Sequence, residues 1–585
     1  MPPLPQAKRA IDLQGDATFV PGTTNILTQY DHMLGRTDND GTREVTNDSL
    51  KRSSKGVILL PQPTDSPNDP LNWSQSRKYY HFLLMLAFTA LTAAISNDAS
   101  ASQESLNEAY GISYDAMNTG AGVLFLFIGW SCIFFAPASS LYGRRISYLI
   151  CLLAGTLGSV WFGSSTRTAD TIWSQAFVGM SESVAESQVQ QSLSDIFFQH
   201  QFGTVLTAYI MATSIGTFLG PLIAHIISMN QGFRWVGWWG AIITGGCLAV
   251  FVFTCEETVF DRGSYAQVTS GVKVKSPSHV NDEQEKNNIN KYAAENEESS
   301  IEGGDNNSNS RTQMGEKELI TAAQNEPLNS YWKRIAIITP SPYLIGWGFK
   351  QYLERFLVYF KVFTLPAVWL SGLLWGLQDT FMSFFLTTQD TYFYDAPWNK
   401  SETGVAVMNV ATLVGACIGC IVAGILSDKH VLWIAKRNNG IYEPEYRLYL
   451  IFITAVVSPV GLIMFGVGAA QEWPGWVVYG GLGLIGYGWG SVGDISMSYL
   501  MDCYPEIIIQ GMVGVSIINN SLGAIFTFCC SLWLDASGTR NTYIALAVID
   551  FCTICLAIPT LYWGKSWRRW STKLYLEMVE LTQGM

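Results

Sequence analysis

Long apolar runs separated by short polar breaks fill most of the chain. Twelve are long enough to cross a bilayer. Their approximate bounds are 79–101, 116–137, 146–165, 171–195, 204–228 and 235–254, then 365–388, 403–426, 448–470, 475–501, 510–533 and 542–563. The pattern predicts an all-α membrane protein with two six-helix halves, 76–255 and 365–564. Residues 1–75 are polar and read as a mostly disordered tail. The opening MPPLPQAKRAID holds no apolar core, so no cleavable signal peptide is expected. Between the halves, residues 256–364 read as a largely disordered loop. Its stretch 263–330 carries 11 acidic and 6 basic residues with many Asn, Ser and Gln, too polar to build a core. Residues 565–585 read as a second tail.

Lys and Arg near the span ends set the orientation. Twelve fall on the side of the termini and four (Arg167, Arg234, Lys400, Arg540) on the other, so both termini are expected in the cytosol. Asn399-Lys400-Ser401 then lies in an outside loop and makes Asn399 a glycosylation candidate. Two six-helix halves imply a substrate site between them near the midplane.

Composition agrees with this reading. Among 585 residues only 14% are charged against 48% hydrophobic, with a net charge of −12, whereas soluble domains carry about 25% charged residues. A nucleic-acid binder and an ordinary cytosolic enzyme are disfavoured. The eleven cysteines lie in or beside apolar runs, and Cys417-x-x-Cys420 reads as packing, not half a metal site. No nucleotide loop, metal-ligand cluster or nucleophile elbow is found, so no catalytic residue, metal or cofactor is expected.

The chemistry lies in the charges inside the spans. None contains Lys or Arg, yet carboxylates occur at Asp98, Glu182, Glu186, Asp195, Asp379 and Asp494. A carboxylate at bilayer depth costs roughly 2.5 kcal/mol or more unless it faces a polar cavity or a partner. A cavity rich in acids and free of bases suits a cationic substrate. In the polar fourth span, Glu182 and Glu186 are four apart and share a helix face, continued by Gln190. Such a pair can hold a proton and release it when a cation arrives. Asp379, one turn from Trp375 and Ser383, can hold an ammonium by charge and cation–π attraction. Asp98 and Asp494, on the face through Tyr487 and Gly490, are further binding candidates, and Asn519-Asn520 can hydrogen-bond in the cavity. Asp195, Asp428 and Asp502 sit at cytosolic helix ends, where pairing with Arg144, Arg145 or Lys429 would gate or brace the fold.

Several motifs resemble one family. Leu141-Tyr142-Gly143-Arg144-Arg145 and Gly424-Ile425-Leu426-Ser427-Asp428-Lys429 resemble the two copies of the G-x-L-x-D-R-x-G-R-R loop of the major facilitator superfamily. Ser140 stands where the first copy expects Asp. Gly216-x-x-x-Gly220-Pro221 resembles the antiporter motif of the twelve-helix drug:proton antiporter branch, with Ala224 and His225 replacing its final glycines. Asp69-Pro70-Leu71-Asn72-Trp73, Phe233-Arg234-Trp235, Pro444-Glu445-x-Arg447-Leu448 and Tyr499-x-x-Asp502-x-Tyr504-Pro505 look like signatures of its fungal members. Longer stretches, such as SESVAESQVQQSLSDIFFQHQ, resemble the histidinol and polyamine permeases of yeasts.

The resemblance implies a major facilitator fold and proton-coupled import of spermidine, spermine, putrescine and related cations such as histidinol. It further implies the plasma membrane as location, lipid as surroundings and a monomer. The position of Glu186 matches a Glu common in the fungal branch, while Gln175 stands where the family's fourth helix carries a coupling Arg. In this reading Asp98, Glu186 and Asp379 neutralise separated amines. Trp375, Phe381, Tyr487 and Trp489 contact the methylene spacers, and Glu182, Glu186 or Asp379 carries the coupling proton. Drug export through the same cavity and a non-transporting membrane sensor are the alternatives.

Overall fold

The computed structural model describes residues 20–25, 51, 59, 63–260, 327–341, 344, 346–393, 396–439 and 441–583. Most of the predicted N-terminal tail and the acidic stretch of the central loop lie outside the described residues. All twelve predicted spans fall on helix. The N-terminal half holds α1 (Gln75–Asn97), α2 (Tyr114–Tyr142), α3 (Arg145–Gly163), α4 (Thr168–Ser187), α5 (Val189–Ile196), α6 (Gln199–Gln231) and α7 (Arg234–Thr254). After the loop come α8 (Phe349–Lys361), α9 (Pro366–Tyr392), α10 (Met408–Ile421), α11 (Ser427–Arg437), α12 (Ile451–Ala470) and α13 (Gly475–Cys503). The last two are α14 (Ile508–Ile554), bent at Gly538 between the eleventh and twelfth spans, and α15 (Ala557–Gln583).

Among the described residues, eight helical stretches are long and apolar enough to cross a membrane, or nine if the 81° bent pair of α8 and α9 counts as one. Neither α4 nor α13 is among them. Those are the helices of Glu182, Glu186 and Asp494, so low hydropathy marks the elements that face the interior.

The structure departs from the sequence reading in three places. The fourth span is broken at Gln188 into α4 and α5. There the Tyr209 hydroxyl donates to the Ala185 carbonyl (3.0 Å), the acceptor that residue 189 would use in an unbroken helix. The central loop is not structureless throughout, because its apolar positions 349, 352, 353, 356, 357 and 360 follow a helical period. The resulting α8 lies along α2, with the Tyr352 hydroxyl on the Phe134 carbonyl (3.0 Å) and Phe356 against Phe134. The predicted C-terminal tail continues as α15, whose Tyr575, Met578 and Val579 are buried.

The halves meet along two seams, α2 with α14 and α6 with α10. Glycine permits the first. A Cβ on Gly129 would stand 2.8 Å from the Asn520 Cβ and 2.9 Å from the Ser516 carbonyl oxygen. That close approach brings Asn520 to the cavity and Ser516 to Glu186.

Candidate functional site

A cavity at the centre of the bundle is lined from both halves. The N-terminal half supplies Ser96 and Asn97, Leu124, Phe125 and Ile128, Glu182 and Glu186, and Thr213 and Thr217. The C-terminal half supplies Trp375, Asp379, Met382, Trp489 and Asn520. Three carboxylates therefore share one space, and among the described residues no Lys, Arg or His lines it. Glu182 and Asp379 are each 7% exposed. The volume is only about 30 Å³, room for a water or two and not for a polyamine, so a larger substrate requires this conformation to open.

Each acid is held differently. The Asp379 Oδ1 accepts the Trp489 indole N–H at 2.7 Å. Trp489 in turn lies against Trp375, with centroids 4.8 Å apart, and meets Phe218 of α6 edge-on. Gly493 makes room for this pair, since a Cβ there would stand 1.7 Å from the Trp375 ring. Glu186 reaches across the seam: its Oε2 accepts from the Ser516 hydroxyl and from the Asn520 amide at 2.8 Å. Glu182 lines the cavity one turn back, beside Ser96 and Asn97.

Glu182, Glu186, Asp379, Trp375 and Trp489 thus come together as the sequence predicts, and four other candidates do not. Phe381 is buried in the C-terminal core instead of lining the cavity. It lies two positions from Asp379 and so points to the other side of α9. Tyr487 is displaced from Trp489 in the same way and packs its backbone on Gly419 of α10. Asp494 sits at the α6–α10 seam, where it accepts from Thr207 (3.4 Å) and Ser498 (3.3 Å). Asp98 opens a 3-10 turn (Asp98–Ser102) that rotates it away, toward Gly240 of α7. Asn519 does not line the cavity, but it is buried against α9, where its side chain interacts with Asp379, while its neighbour Asn520 faces the cavity. Gln190 also leaves the Glu182–Glu186 face, because the break at Gln188 turns it toward Met497.

Sequence reasoning overlooked Thr213 and Thr217 of the lining and Ser516, which holds Glu186. It also overlooked Asp550, a carboxylate 1% exposed behind the cavity that accepts from the Gln378 amide at 2.9 Å. A lone Asp in the last apolar span was the available signal.

At the Arg144 end of the bundle the expected ion pairs are partly exchanged. Arg144 pairs with Asp195. Arg145 is buried against the end of α7, with its guanidinium on the Val252 carbonyl. Arg447, not Lys429, holds both Asp428 (2.8 Å) and Asp502. Lys429 is exposed and forms no ion pair among the described residues. Ser140, which replaces the motif's Asp, accepts from Arg355 of α8 at 2.6 Å. Two further cavities flank the central one, about 270 Å³ at this end and about 100 Å³ at the other, and the latter shares Ser96, Asn97, Leu124, Phe125 and Met382 with it. Asn399 is exposed in the loop after α9. Among the described residues no cluster suited to a metal ion is found.

Comparison with known proteins agrees with this architecture. The family model described as Major Facilitator Superfamily matches residues 81–528. Protein HOL1 of Saccharomyces cerevisiae is 51% identical over 97% of this chain and 98% of its own. An uncharacterised MFS-type transporter of Schizosaccharomyces pombe is 45% identical over 91% and 92%. A Saccharomyces cerevisiae protein named a probable drug/proton antiporter is 23% identical over 89% and 90%. A solved structure of the proton:xylose symporter XylE, bound to 6-bromo-6-deoxy-D-glucose, superposes with a TM-score of 0.52 at 15% identity, over 84% of this chain and 96% of that one. It shares the fold. With its two helical halves around a central cavity, this chain is a multi-pass membrane transporter and belongs to the major facilitator superfamily.

Proposed function

We propose that the chain imports polyamines and related organic cations, histidinol among them, across the plasma membrane by exchanging them for protons at the central cavity. The observation that carries this reading is the cavity lining: Glu182, Glu186 and Asp379 converge there with Trp375 and Trp489, and no basic side chain balances them. Three ionised carboxylates in so small a space without a cation would be strongly disfavoured. The empty cavity therefore holds protons, and a bound polycation replaces them. The polycation carries more charge than the proton it displaces, so each cycle moves net positive charge inward and an inside-negative membrane potential drives import. Asp379, beside two indoles, takes one ammonium. Glu182 and Glu186 take another and carry the exchangeable proton. The protein acts as a monomer in which the two halves rock about the site.

Labelled spermidine uptake into cells lacking other polyamine importers tests this reading. Saturable uptake that a protonophore dissipates supports it. No uptake, with the protein at the cell surface, overturns it. Export of cationic drugs is the second reading, favoured by the relative named as a drug/proton antiporter. Flux out of preloaded vesicles driven by an inward proton gradient would select it.

A further inference from the structure

Residues 20–25 of the N-terminal tail are docked on the C-terminal half, at the Arg144 end of the bundle. Thr24–Asn25 (β1) pairs antiparallel with Ile441–Tyr442 (β2), Thr24 opposite Tyr442 and Asn25 opposite Ile441. Val20 is buried. Gly22 has φ +77°, and a Cβ there would lie 2.3 Å from the Asp502 carbonyl oxygen and 3.0 Å from the Cys503 Cα. Both obstacles are backbone, so only glycine fits.

The docked segment completes a charged cluster. Arg568 of α15 is 1% exposed. It donates to both Glu445 oxygens (3.0 and 2.7 Å) and to Glu443 (2.8 Å). Its remaining nitrogen, Nη1, donates to the Pro21 carbonyl and to the Thr23 hydroxyl (3.0 Å), and that hydroxyl donates to Glu443 at 2.8 Å. Without the segment, a buried guanidinium nitrogen would lose both acceptors.

The cluster lies one residue from the contact that joins the halves. The Tyr442 hydroxyl donates to Asp502, Arg447 ties Asp502 to Asp428, and the Asp428 carboxylate lies against Gly203 of α6, 2.3 Å from where a Cβ would stand. Further along the tail, residues 64–73 sit on the other half. There Asp69 caps a turn at Leu71, Lys78 donates to the Leu71 carbonyl (2.9 Å) and Trp73 meets His81 edge-on. Lys51 is held by Thr64 and Asp65, and the intervening residues 26–50 could extend over roughly 80 Å. Any effect of docking on opening therefore comes from the contacts and not from tether length.

We propose that the surface formed by β2, Pro444, the end of α13 and Arg568 is a binding site for residues 20–25. The docked segment is a latch that keeps this end of the transporter closed. A negative charge on Thr23 would release it, because Arg568 and Lys565 are already neutralised by Glu443 and Glu445 and the new group would leave one buried charge unbalanced. The inference needs only a transporter of this fold, not the polyamine substrate.

Two measurements on the full-length protein test it. Crosslinking of Asn25→Cys with Ile441→Cys, in a cysteine-depleted background, reports docking. The labelling rate of Gln191→Cys, in the cavity at this end, by a membrane-impermeant maleimide reports opening. Gly22→Val and Thr23→Glu should each raise the labelling rate about fivefold, the shift expected for one lost hydrogen bond. Thr23→Ser, which keeps the hydroxyl, should match the parent. Absence of the crosslink overturns the docking site. A crosslink with labelling unchanged in both Gly22→Val and Thr23→Glu overturns the latch.

Discussion

The carboxylates on the two sides of the central cavity are bound in opposite ways. Asp379 takes its hydrogen bond from Trp489, within its own half, so acid and indole move together. Glu186 takes both of its bonds from Ser516 and Asn520, in the other half, so they break whenever the halves separate at that seam. One acid has its donor in its own half and the other has both donors across the seam. The first suits constant recognition of an ammonium group. The second suits proton exchange, because its surroundings change as the protein moves.

Substitutions at the two acids should separate these roles, and the largest effect is expected at Glu186. Glu186→Gln keeps hydrogen-bonding capacity but cannot release a proton. Concentrative uptake should collapse to the level seen with a protonophore, while counterflow of labelled against unlabelled substrate persists. Loss of both would merge the two roles.

Asp379→Asn should raise the KM for uptake about tenfold or more, the scale of one hydrogen bond to a charged group, and leave proton dependence in place. Ser516→Ala loosens the cross-half bonds and keeps the acid. It should shift the balance between closed and open states about fivefold, read as faster labelling of a cysteine introduced at Thr213. Phe381→Leu should leave the KM at the parental value and lower thermal stability by about 1 kcal/mol, read by a melting curve. A raised KM there would return Phe381 to the cavity.

The sequence revealed whatever local periodicity controls. Glu182 and Glu186 lie together because they are four apart on one helix, and Trp375 and Asp379 for the same reason. Phe381 and Tyr487 were misplaced by proximity in sequence, since a two-residue step crosses to the far side of a helix. Asp98 was misplaced because α1 gives way to a 3-10 turn at that residue. The donors to Glu186 were not legible, because they come from more than 300 residues away and depend on the closeness that Gly129 permits. The break at Gln188 and the pairing of β1 with β2 are likewise tertiary. No local pattern announces a two-residue strand.

The claim that a cation displaces a proton at this cavity is tested most directly with purified protein in weakly buffered solution. Spermidine is added and the pH is read with an indicator dye. Saturable proton release should follow spermidine binding and be lost in Glu186→Gln, which still binds. Binding without proton release, or release undiminished in Glu186→Gln, would contradict it.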